Sequence, residues 1–239
     1  MKSFEELGVS QELIKGLNAL NIIEPSDIQL KVIPLLMDNE TDIVAQAQTG
    51  TGKTAAYGLP ILEQVDTNDA SVQALILCPT RELGQQVAKQ LFKFTKFSHR
   101  VFVESVYGGE NIDIQISNLQ RPTHIVVATP GRLIDLIQKK HIKLDDIEIT
   151  VLDEADQMAD MGFLPDVKRI LDLTKPGGQR MLFSATLDKD VDSLVKKYLK
   201  NPVTHSLANE KSTAGNMTHH VLIMEQAHKD LITSQIAAR

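Results

Sequence analysis

The sequence predicts an α/β fold: a mainly parallel β-sheet with helices on both faces and its working loops along one rim. Three observations carry this. Short β-rich runs alternate with segments of helical periodicity. Several runs, such as Ile125-Val126-Val127-Ala128 and Ile149-Thr150-Val151-Leu152, are apolar on both sides rather than alternating, as strands buried on both faces are. The composition, 42% apolar and 23% charged over 239 residues, is that of an ordinary globular chain and excludes disordered and fibrous classes.

Taken in order, the predicted strands are Asp42–Ala47, Ala74–Cys78, Val101–Tyr107, His124–Ala128, Glu148–Asp153 and Arg180–Ser184, each followed by a polar or glycine turn and a helical segment. Between the second and third, Arg81–Phe97 carries Leu83, Val87, Leu91 and Phe94 on one helical stripe, which reads as a crossover helix. From about Asn201 the character changes. Residues 208–217 are small and polar, a linker in composition, followed by a strand-like 220–224 and a helical 227–238. One strand and one helix cannot bury a core, so the expected organisation is a domain over 1–207, with 208–239 as a linker and the start of a second domain or an appendage.

Bulk properties narrow the setting. No run of about 18 apolar residues could cross a bilayer, and Met1-Lys2-Ser3-Phe4-Glu5-Glu6 places acids where a secretory signal is apolar. A cytoplasmic protein with no membrane partner is expected. The single Cys78 sits in an apolar run and reads as a buried strand thiol. The net charge of −6 means that any nucleic-acid binding must come from a local patch or from backbone amides. The adjacent His219 and His220 would point to opposite faces of a strand, so no shared metal is expected there.

In an open α/β sheet the ligand sits beyond the carboxyl ends of the strands. The unusual segments fall there: the loop from Ala47, Pro79–Leu83, Gly108-Gly109, Thr129–Arg132, Asp153–Asp156 and Ser184–Thr186. Ala47-Gln48-Thr49-Gly50-Thr51-Gly52-Lys53-Thr54 is a phosphate loop with alanine where the usual pattern opens on glycine. Gly50 and Gly52 let backbone N–H groups converge on phosphate oxygens, Lys53 adds a point charge, and Thr54 offers a hydroxyl to magnesium. Asp153 ends an apolar strand, where its carboxylate can hold magnesium through water, while Glu154 can orient the attacking water. Together these make a nucleotide-hydrolysis site using Mg2+, with Lys53, Asp153 and Glu154 as its catalytic groups. Thr129-Pro130-Gly131-Arg132 has a capping residue and a first-turn proline, which leaves N–H groups and a guanidinium for a phosphate. Gly108-Gly109 permits close backbone approach, and Arg81 adds a cation.

In this order, the segments resemble the N-terminal half of the DEAD-box ATP-dependent RNA helicases, from Phe4 to about Leu207; Met161-Gly162-Phe163 is also typical. The resemblance implies a RecA-like P-loop NTPase domain. In it, Pro79, Thr80, Arg81, Gly108, Gly109, Thr129, Pro130, Gly131 and Arg132 grip RNA backbone, while Ser184 and Thr186 couple nucleotide to RNA by contacting Asp156. It also implies that Gln29 in Pro25-Ser26-Asp27-Ile28-Gln29 reads adenine, with Phe4 as the upstream aromatic. Asn21 and Ile22 stand where the family has glycine and an aromatic. RNA, as single strand or short duplex, a second RecA-like domain, and recruiting proteins are the implied partners. That second domain and its arginines are not among these residues, so the chain alone is expected to bind nucleotide and RNA weakly with little turnover. The competing readings are a non-catalytic nucleotide- and RNA-binding module, and a P-loop ATPase acting on something other than nucleic acid.

Overall fold

The computed structural model describes residues 2–37, 41–98, 101–206, 224–225 and 228–237. The chain divides into two compact units, Met1–Asn209 and Glu210–Arg239. In the first, seven strands form one sheet in which every pairing is parallel: β1 (Ile43–Gln46), β2 (Ala74–Leu77), β3 (Val103–Val106), β4 (Ile125–Ala128), β5 (Ile149–Leu152), β6 (Gln179–Ser184) and β7 (Val203–Ser206). Their spatial order is β3-β4-β2-β5-β6-β1-β7. All carboxyl ends therefore share one rim, as the sequence predicts.

The apolar runs split by strand periodicity into two cores. Ile43, Ala45, Ile76, Val127, Val151 and Phe183 face one side, where they join residues of α1 (Gln11–Asn18), α2 (Asp27–Leu36), α3 (Lys53–Gln64) and α4 (Arg81–Phe94). Val44, Leu75, Val126, Leu152 and Leu182 face the other, with residues of α6 (Pro130–Gln138), α8 (Leu164–Leu171) and α9 (Lys189–Tyr198). Among the described residues of this unit, α5 (Ile112–Leu119) and α7 (Ala155–Asp160) are the remaining α-helices. Adjacent strand residues point to opposite faces, so an unbroken apolar run serves both layers at once.

Two expectations need correction. The sheet has a seventh strand, β7, paired to β1 along the edge. Its Val203-Thr204-His205-Ser206 is largely exposed and lacks an apolar run, so backbone bonds rather than burial hold it there. The crossover helix ends at Phe94, and Thr95–Phe97 forms a 3-10 turn in which Phe97 is half-exposed. Leu91 and Phe94 are the last buried residues of the stripe, so nothing apolar anchors another α-helical turn.

In the second unit, α10 spans Lys229–Ala237. The predicted linker over 208–217 and His219-His220 lie outside the described residues, as does most of the strand-like 220–224. Among the described residues no helix is long and apolar enough to cross a membrane.

Candidate active site

The phosphate loop links β1 to α3, and its conformation follows from its glycines. Gly50 and Gly52 take φ of +85° and +94°. A Cβ on Gly52 would come within 2.5 Å of Gln29 Nε2 and 2.9 Å of Ser26 Oγ, so this position excludes a side chain both by conformation and by space. Lys53 opens α3 and is almost fully buried, with Nζ 2.6 Å from Glu154 Oε1 and 4.0 Å from Asp153 Oδ1. Thr49 donates its hydroxyl to the same Glu154 oxygen at 3.1 Å. The loop and the acidic segment, about a hundred positions apart, are thus one site.

The segment after α1 is tied directly to this loop. Gln29 accepts from Ser26 N–H at 2.9 Å, its half of a capping box on α2, and donates to Gly52 O at 3.0 Å. A carboxamide has two lone pairs and two N–H groups, so one of each remains for an adenine edge. Asn21 adopts φ +58°, a conformation glycine takes freely and asparagine tolerates, and Ile22 packs partly against the core. Phe4 is 3% exposed inside that core. It therefore offers no open ring face to a base, and its part here is to anchor the N-terminal segment.

Asp153 follows the last residue of β5 and is 2% exposed. Tyr57 of α3 donates to its Oδ2 at 2.8 Å, while Oδ1 has no hydrogen-bond partner. Burial pushes its carboxyl up to about 6 against the opposing pull of Lys53 and the Tyr57 hydrogen bond. Glu154 follows in left-handed conformation, φ +54° and ψ +54°, rare for a residue with a side chain. This turn lets the backbone enter α7 while the Glu154 carboxylate reaches Lys53. Burial, then the charges of Asp153 and Glu154, push the Cys78 thiol well up, so it is the inert core thiol expected.

A magnesium ion suits this donor set. Asp153 Oδ1 is a buried carboxylate oxygen lacking a hydrogen bond, and the Thr54 hydroxyl lies in the first turn of α3. Both are hard oxygen ligands. Among the described residues no group of three or more His, Cys, Asp or Glu could hold a metal unaided, so phosphate oxygens would complete the coordination.

Ser184-Ala185-Thr186, which begins on the last residue of β6, lies between the two parts. Ser184 O accepts from Ala47 N–H at 3.0 Å, and Gln46 Nε2 donates to Ala185 O at 3.1 Å. On the other side, Ser184 Oγ accepts from Asp156 N–H at 3.1 Å, and Thr186 donates to Asp156 Oδ2 through N–H at 2.9 Å and hydroxyl at 3.0 Å. Burial alone would raise the Asp156 carboxyl, but these bonds outweigh it and hold it low. Neither Ser184 nor Thr186 caps α9; Asp188 does so with its own carboxylate.

The remaining rim loops gather at the other end, on β2, β3 and β4. Arg81, first residue of α4, lies over the Tyr107 ring at 5.3 Å and donates to Gly109 O at 3.4 Å. Arg132 of α6 donates to Glu110 O at 3.2 Å and to Gln115 Oε1 at 3.1 Å. Gln115 in turn donates to Tyr107 O at 3.0 Å. Gly109 takes φ +82°, and Gly108 and Gly131 have open space where a Cβ would stand. Thr80 caps α4 by accepting from Leu83 N–H, with Pro79 buried before it. Thr129 and Pro130 occupy the predicted cap and first-turn positions of α6, but the Thr129 side chain makes no cap bond, which leaves first-turn N–H groups unclaimed by it. Sequence reasoning missed Tyr57, Gln46, Glu110 and Gln115.

A family model described as DEAD/DEAH box helicase matches residues 26–194. The DEAD-box ATP-dependent RNA helicase CshA of Streptococcus pneumoniae serotype 4 is 43% identical over 231 residues, 96% of this chain and 44% of that protein. The RNA helicase CrhR of Synechocystis sp. is 46% identical over 211 residues, 88% and 42% of the two chains. The chain thus spans less than half the length of these relatives. Among solved structures, a DEAD box protein from Methanococcus jannaschii superposes with TM-score 0.82 at 39% identity, covering 85% of this chain and 55% of that one. S. cerevisiae Dbp5 bound to RNA and ADP BeF3 gives 0.77 at 38%, covering 85% and 51%. The rim loops, the parallel sheet around them and these similarities agree: the chain belongs to the DEAD/DEAH box helicase family and carries its RecA-like domain.

Proposed function

We propose that the chain forms the nucleotide-binding half of an ATP-dependent RNA helicase, in which β1, β5 and β6 bear the ATP site and β2, β3 and β4 bear an RNA-backbone site. The observation that carries this is the hydrogen-bonded path from the phosphate loop through Ser184-Ala185-Thr186 to Asp156, because it gives nucleotide occupancy a physical route to the acidic segment. Gln48, Thr49, Gly50, Thr51 and Gly52 offer backbone N–H groups to the phosphates, and Lys53 transfers its charge to them from Glu154. Glu154, released from Lys53, is then placed to orient water and accept its proton. Magnesium, held by Thr54 and Asp153, would neutralise charge on the phosphates. Gln29 presents its spare N–H and lone pair to adenine.

At the other end, Arg81 and Arg132 supply cations and Gly108, Gly109 and Gly131 admit a sugar-phosphate backbone. The RNA-bound Dbp5 structure, similar in fold, supports RNA as the ligand. A second RecA-like domain completes both sites, recruiting proteins select the RNA, and the location is cytoplasmic. These 239 residues alone bind nucleotide and RNA weakly, turn over little ATP and do not unwind a duplex, because an arginine finger is worth about 10³–10⁵ in rate. ATP hydrolysis by the purified chain, with and without RNA, tests this. Brisk RNA-stimulated turnover lost on Lys53→Ala would refute the weak-activity part, while absence of any nucleotide binding would refute the whole.

A further inference from the structure

Asp153 has a partner that the proposed function leaves unused. Tyr57, in the second turn of α3, is fully buried, its ring edge-on to Phe183 with centroids 5.1 Å apart and planes at 60°. Its hydroxyl donates to Asp153 Oδ2 at 2.8 Å. The two carboxylate oxygens are thereby unequal: Oδ2 is engaged, while Oδ1 has no hydrogen bond and lies 4.0 Å from Lys53 Nζ. We infer that Tyr57 is a positioning residue that fixes the Asp153 carboxylate for magnesium and sets how much magnesium the chain needs to take up nucleotide.

The inference rests on the nucleotide site proposed above. A ligating carboxylate is oriented by what its other oxygen bonds, and such outer partners commonly weaken metal affinity about 10–100-fold when removed. Lys53 cannot serve this purpose, since it pairs most closely with Glu154 and leaves for the phosphates. Tyr57 stays. Its ring is locked in the core against Phe183, which holds the hydroxyl 2.8 Å from Asp153 Oδ2. The hydroxyl therefore stays a donor to the carboxylate expected to hold the metal.

Tyr57→Phe keeps the ring and removes only the hydroxyl. Binding of a fluorescent ATP analogue is measured against magnesium concentration, again in EDTA, and alongside thermal unfolding. The magnesium giving half-maximal binding rises about tenfold, while affinity in EDTA is unchanged. An unaltered magnesium curve overturns the inference and leaves the nucleotide site standing. Equal losses with and without magnesium, or failure of the variant to fold, also overturn it, because they mark a packing role. No nucleotide binding by the unsubstituted chain at any magnesium concentration overturns both.

Discussion

The two ends of the rim solve opposite problems on one sheet. At the β1–β5–β6 end, Lys53, Asp153 and Glu154 are all less than 10% exposed, and Glu154 holds a left-handed backbone. At the β2–β3–β4 end, Arg81 is exposed, Arg132 is partly so, and both are tied to backbone carbonyls of the loop after β3. Charge at the first end has been taken out of water and held against other charge, which leaves it poised to exchange one partner for another. Charge at the second remains hydrated, so binding there is inexpensive to form and to release. One rim thus carries charge in two states, one buried and paired, the other open to solvent.

Lys53→Ala attacks the buried end and carries the largest expected effect. Removing one member of a buried charge cluster leaves the others uncompensated, at about 3–5 kcal/mol. Titration with a fluorescent nucleotide should show affinity lowered more than about a hundredfold, and urea unfolding should show a less stable chain. RNA crosslinking to the other end should persist, and its loss would mean that the ends are not separate.

Asp153→Asn sharpens the same end through its sign. A carboxyl held at about 6 when folded lies above its unfolded value, so its ionised form is the destabilised one. This penalty is absent below about pH 4, grows as pH rises to about 6, and is constant above that. In metal-free buffer at pH 7.5, Asp153→Asn should therefore stabilise the fold by on the order of 2 kcal/mol in urea unfolding while losing magnesium-dependent nucleotide binding. An asparagine variant less stable than the parent would show that Lys53 already compensates the charge in full.

Arg132→Ala addresses the hydrated end. RNA affinity should fall about tenfold, with the slope of its logarithm against log salt reduced by about one, and nucleotide affinity should stay unchanged. Arg132→Lys keeps the charge but loses the fork that spans Glu110 O and Gln115, so it should recover only part of the loss.

The same asymmetry decides what the sequence discloses. Lys53, the glycines of its loop and an acidic pair at the end of an apolar strand announce themselves because each type is costly anywhere else. The parallel sheet was legible because Ile125–Ala128 and Ile149–Leu152 must be apolar on both faces. Tyr57 was hidden because its ring fits the apolar stripe of α3, and its hydroxyl meets a residue 96 positions away. A tyrosine amid Ala55, Ala56 and Leu59 was the available signal, since a buried phenol requires a partner. Glu110 and Gln115 support Arg132 through a backbone carbonyl and a side-chain amide, contacts that no local pattern records. Strand β7 escaped because an edge strand is recruited by the neighbour's backbone.

Thr186→Val carries the smallest expected effect and bears on whether the ends communicate. Thr186 meets Asp156 through both its N–H and its hydroxyl, and the backbone bond survives the substitution, so only one exposed hydrogen bond is lost, worth about 1 kcal/mol. Stability and nucleotide affinity should change only a few fold, because neither the phosphate loop nor Lys53 touches Thr186 among the described contacts. The informative quantity is the ratio of RNA affinities with and without bound nucleotide, measured on the chain joined to a second RecA-like domain. If Asp156 transmits nucleotide occupancy, that ratio should move toward one in Thr186→Val while the nucleotide-free RNA affinity stays put. A ratio equal to the parent's would place the communication in the Ser184 and Gln46 contacts instead.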